Sequence, residues 1–188
     1  MTPLLLALLT ATPTDAALLK AVQARFEAAG RQTPPADPAL DRAARQIARH
    51  ALGAGVTDAA GLLRVTAAIS DAGGWDPNPV AVLVRASADE LIPTVARQLS
   101  IDEPVTALGI AVVMEGERGA AVTLLVKRRM QLSPFARSHP APPRAAQRLC
   151  GKLLSPLSAA DVFVTRPSGE VDSAPMTPSA QGLCASLT

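Results

Sequence analysis

Two apolar runs, residues 105–114 and 120–130, flank a polar connector made of Glu115, Gly116, Glu117, Arg118 and Gly119. A connector of that length, holding two glycines, turns the second run back along the first, so the spacing predicts an antiparallel β-hairpin. Any fold for this chain must accommodate that pair of strands. The segments before it carry apolar residues at helical spacing, which places the chain in the α+β class.

The predicted helices are well marked. Leu18, Leu19, Val22 and Phe26 recur at helical spacing over residues 16–29, and Gly30 ends the pattern. Pro34 and Pro35 make an extended break. Asp37 followed by Pro38 is a helix start, because the carboxylate accepts free backbone N–H groups and proline at the first helical position loses no hydrogen bond. From there to residue 52, Leu40, Ala43, Ala44, Ile47, Ala48 and Ala51 line one face and charged residues the other. A further helix, capped by Thr57 or Asp58, is expected to run through Leu62, Val65, Ile69 and Ala72 to the stop at Gly73 and Gly74. Residues 80–84 form a short aliphatic, β-branched run that reads as a buried strand. Ser87 and Glu90 have capping-box spacing, so residues 88–100 are predicted helical, with Pro93 near the first turn.

Beyond residue 130 the pattern changes. Residues 133–147 are rich in proline and read as a linker. After them come only short predicted strands, over 148–154, 161–165, 170–173 and 183–187. About 45 residues of this kind cannot bury both faces of a sheet without staples or a partner surface. The chain has two cysteines, Cys150 and Cys184, one in each of two of these strands, and each stands between a leucine and a small residue. In an exported chain they are expected to pair, closing a loop of about 35 residues worth roughly 3 to 4 kcal/mol. Export itself is expected from residues 1–15, a candidate signal peptide with an apolar stretch from Leu4 to Leu9, followed by small residues but lacking a basic residue ahead of it. That stretch is too short to span a bilayer, and no other segment is long enough.

Composition narrows the function classes. Aromatic residues make up 2% of the 188-residue chain, three Phe, one Trp and no Tyr, so the core must be built from Ala, Leu, Val and Ile. Single-stranded nucleic acid would find almost no stacking surface, and the net charge of +2 comes from interspersed signs; no nucleic-acid partner is expected. The histidines, His50 at a helix end and His139 in the proline-rich stretch, are not brought together by any pattern, so no metal site is expected. Neither cysteine has a CxxC partner. The acidic pairs Asp89 with Glu90 and Asp102 with Glu103 bracket the third main helix, where caps and turns favour acids. Lys127, Arg128 and Arg129 end a strand and read as solvated. No glycine-rich phosphate loop or nucleophile elbow is present. No catalytic residue, cofactor or metal ligand is therefore assigned.

The order helix, helix, strand, helix, hairpin resembles the CAP superfamily of cysteine-rich secretory, antigen-five and pathogenesis-related-one proteins. The resemblance spans residues 37–130 and rests on residues 39–48 (ALDRAARQIA), the helix before the hairpin, and the strands at 105–113 (VTALGIAVV) and 121–126 (AVTLLV). It implies an α-β-α layout over residues 37–132, preceded by a short helix and linker over 16–36. The histidine and acidic motifs of that family's cleft are missing: residues 80–86 hold no Glu, and residues 88–92 (ADELI) stand where a Gly-His-Arg motif is expected. The resemblance thus implies a degenerate cleft. Residues 148–188 look like part of an immunoglobulin-like sandwich, and the layout is similar to that of secreted delta-proteobacterial proteins in which further domains follow. The expectation is an exported, non-catalytic binding module of the cell envelope or extracellular space, its ligand unassigned, with additional domains beyond Thr188. The alternatives are a secreted hydrolase with an unrecognised cleft and a structural spacer in a longer protein.

Overall fold

The computed structural model describes residues 13–76, 78–133, 147–154, 157–166 and 168–187. The chain divides into two compact units, residues 1–127 and 128–188.

The first unit contains α1 (Asp15–Ala28), α2 (Pro38–Ala54), α3 (Val56–Ala60), α4 (Leu62–Asp71), β1 (Val80–Ser87), α5 (Ala88–Gln98), β2 (Ala107–Glu115) and β3 (Arg118–Val126). The strands form an antiparallel sheet in the order β1-β3-β2. Glu115 pairs with Arg118, so the hairpin loop has two residues rather than the five expected. Gly116, with φ of 62°, takes the first loop position, where a tight hairpin needs a left-handed residue. Arg118 and Gly119 consequently belong to the strand.

Each face of the sheet carries its own core. Leu83, Ala107, Ala111, Ala120, Val122 and Leu124 meet α2, α3 and α4 on one face. Val84, Leu108, Ile110, Val112, Ala121 and Leu125 meet α1 and α5 on the other. Burial on both sides explains why the strands read as continuous apolar runs rather than alternating ones. The α2 face of β2 is built from small residues, and α2 itself buries Ala43, Ala44, Ala48 and Ala51. Helix and sheet therefore approach closely: a Cβ on Gly109 would overlap the Cβ and backbone of Leu40.

Several expectations are corrected. Helix α1 is not a detached prelude to a domain starting at residue 37, because its Leu18, Val22 and Phe26 are buried in the core beneath α5. The first unit ends at Lys127 rather than at residue 132. The predicted strand over 120–130 stops at Val126, where three basic residues follow, and Met130 opens a strand of the second unit. The single helix expected over 57–72 is two, since Gly61 adopts extended backbone (φ −58°, ψ 134°) between α3 and α4. Ser87 precedes α5 but makes no capping hydrogen bond. Its hydroxyl hydrogen-bonds the Asp89 carboxylate instead, which lowers the pKa of that exposed group. Pro93 lies inside α5, beyond its first turn. Residues 1–12 and 134–146, which hold most of the candidate leader and of the proline-rich stretch, lie outside the described residues.

The second unit contains β4 (Met130–Leu132), β5 (Gln147–Leu153), β6 (Asp161–Thr165), β7 (Val171–Pro175), β8 (Thr177–Ser179) and β9 (Gly182–Leu187). One antiparallel sheet has the order β4-β5-β9-β8, and β6 with β7 forms a separate hairpin. Cys150 and Cys184 face each other across β5 and β9 with Cα atoms 4.1 Å apart and are joined by a disulfide. Both are buried. The short strands β4 and β8 were not legible from the sequence pattern.

Candidate functional site

The acidic pairs singled out in the sequence do not form a site. They stand at opposite ends of α5, a helix about 16 Å long at 1.5 Å per residue, and each is engaged locally. Glu90 Oε2 accepts from Arg97 at 3.4 Å, Asp102 accepts from the Ser100 hydroxyl, and Glu103 pairs with Lys127 at 3.5 Å. His50 lies within α2 with Nε2 buried and without a hydrogen-bond partner, and His139 lies outside the described residues. Among the described residues no group of three or more His, Cys, Asp or Glu side chains could hold a metal ion. Gly73 and Gly74 end α4, their N–H groups donating to Ser70 and Ile69 carbonyls at 3.0 and 2.8 Å.

A different pair of carboxylates is placed by the fold, and sequence reasoning missed it. Strand β2 is an edge, so its outward N–H groups need partners. The Leu108 N–H donates to the Pro35 carbonyl at 3.1 Å, and the Asp37 N–H donates to the Leu108 carbonyl at 2.8 Å. Ile110 N–H donates to Asp41 Oδ1 at 2.8 Å, and Val112 N–H donates to Asp15 Oδ1 at 2.7 Å. Arg45, one helical turn beyond Asp41, pairs with Asp15. Burial raises the Asp41 pKa above its ordinary value; the Ile110 hydrogen bond opposes this, Asp15 and Asp37 add to it, and Arg45 opposes it. This cluster closes a sheet edge and is structural. It also shows that Asp15, assigned to the leader by sequence, is part of the folded unit, as is Thr14, whose hydroxyl oxygen accepts from Ala17 N–H at 3.2 Å.

Among the described residues, a cleft of about 300 Å³ lies where the C-terminal ends of α1 and α5 meet. Arg25 and Ala29 line it from the α1 side, and Arg97, Ser100 and Asp102 from the α5 side. Arg25 Nη2 donates to the Leu99 carbonyl at 3.2 Å, and Arg97 Nη2 donates to Thr94 Oγ1 at 2.7 Å. Arg31, just beyond α1, donates through Nη2 to the Asp102 carbonyl at 2.8 Å, while its Nη1 is buried without a partner. The sequence offered little to reveal this, because Arg25 and Arg97 read as the solvent faces of two helices and only their packing brings them together.

No protein-family model, no curated protein and no solved structure matches this chain.

Proposed function

We propose that the chain is an exported, non-catalytic binding module of the cell envelope or extracellular space, made of a degenerate CAP-like domain followed by a partial immunoglobulin-like segment. The observation that carries export is the Cys150–Cys184 disulfide. A buried cross-strand bridge in a small β unit with little core belongs to an oxidising compartment. No described helix is long and apolar enough to cross a membrane. The CAP-like reading draws support from β1 lying beside the β2–β3 hairpin, with helices on both faces of the sheet. The non-catalytic reading draws support from the acidic pairs at the two ends of α5, each taken up by a local partner.

The test is intact-mass and N-terminal analysis of the protein recovered from its host. The expected species lacks two hydrogens relative to the reduced chain and has lost a leader, while Thr14 and Asp15 remain. A full-length, reduced chain in the cytosolic fraction overturns the export reading.

A further inference from the structure

We propose that the cleft between α1 and α5 binds the oxyanion group, carboxylate or phosphate, of a small acidic ligand. The proposal deepens the binding-module reading and rests on it. A guanidinium has five N–H donors, and the described partners of Arg25 and Arg97 engage only one nitrogen of each. Two cations, Arg25 and Arg97, line the cleft, and Arg31 holds the backbone of Asp102, one of its other lining residues. The carboxylates beside them are Asp102, which accepts from Ser100, and Glu90, which is more than half exposed.

Cations near helix C-termini have a simpler role, offsetting the negative end of the helix dipole, and Arg25 and Arg97 meet that description. One observation goes beyond it. Such a cation needs no cavity beside it, yet these two line one. A planar guanidinium fork is matched to carboxylate and phosphate oxygens. The cleft volume, about 300 Å³, is at the small end for ligand sites, which suits one acidic group rather than an extended chain.

The experiment is an amide-resolved NMR titration of the oxidised full chain at low ionic strength. Inorganic phosphate is used in one arm, citrate in a second, and chloride at matched ionic strength in a third. Saturable shifts at residues 97–102 are expected with phosphate or citrate but not with chloride, and the stronger of the first two arms identifies the oxyanion. Arg97→Ala, at an exposed position that leaves the core intact, should weaken binding by about tenfold or more. Arg97→Lys should restore only part of it, and Asp102→Asn should tighten it by removing a competing carboxylate. Equal shifts with chloride, absence of shifts at residues 97–102, or an unchanged response in a folded Arg97→Ala chain overturns the proposal. Those outcomes would leave the disulfide and export result untouched, so the two readings fail separately.

Discussion

Asp41 and Ile110 are joined by a hydrogen bond of 2.8 Å that spans 69 residues of sequence, from the first turn of α2 to the edge of the sheet. The backbone amide of an edge strand is thereby satisfied by a carboxylate whose charge is disfavoured by its own burial. Replacing Asp41 by Ala leaves that N–H without its acceptor and should cost about 1 to 3 kcal/mol. Asp41→Asn keeps an acceptor oxygen and removes the buried charge, so it should be far less damaging.

The pH dependence of the same pair has a definite sign. Because the folded-state pKa of Asp41 lies above the ordinary value of the group, the folded chain holds its proton more tightly than the unfolded chain. The Asp41 contribution to stability is therefore largest below that ordinary value, and it is lost as pH rises through the raised folded value. Urea denaturation between pH 3 and pH 7 should show wild type losing ground to Asp41→Asn as the pH climbs. A constant gap between the two would contradict this.

Gly109→Ala should destabilise the first unit, since the added methyl has to displace Leu40 or shift α2 away from the sheet. Overpacking of this kind costs about 1 to 3 kcal/mol. Thermal or urea melting of the variant measures it, and a melt equal to wild type would show that the helix relaxes freely.

Thr123→Val should raise stability. The Thr123 hydroxyl is fully buried on the central strand and has no hydrogen-bond partner, and valine has nearly the same shape without the stranded polar atom. A gain of about 1 kcal/mol is expected, read as a shift in the denaturation midpoint. A loss would mean that the hydroxyl does find a partner in solution.

Reducing the disulfide, or replacing both cysteines by Ser, should destabilise the second unit by about 3 to 4 kcal/mol, given the 34-residue separation of Cys150 and Cys184. Hydrogen exchange at β5 and β9 measures the effect directly. Unchanged protection there would show that the sheet holds without its bridge.

The sequence was most informative where a residue acts within its own element. Asp37 caps α2 as its side-chain type predicts, accepting from Ala39 and Leu40 N–H at 2.7 and 3.2 Å, and the hairpin and the order of the main elements follow from apolar periodicity. It was least informative where a side chain acts on a distant strand. Asp15 read as the end of a leader and Asp41 as part of a charged helix face, because nothing near them in the chain announces that β2 needs their oxygens. The Arg25 and Arg97 cleft was invisible for the same reason. Gly61 was read through because one glycine costs a helix only about 1 kcal/mol, whereas here it takes extended backbone.

The two margins of the sheet in the first unit differ among the described residues. Asp15, Asp41 and the segment around Ala36 occupy the margin at β2, while no described strand pairs with the outer side of β1. The acids of α1 and α2 thus do for β2 what a neighbouring strand would do, taking up the N–H groups of Ile110 and Val112 and making that margin a poor template for pairing with another chain.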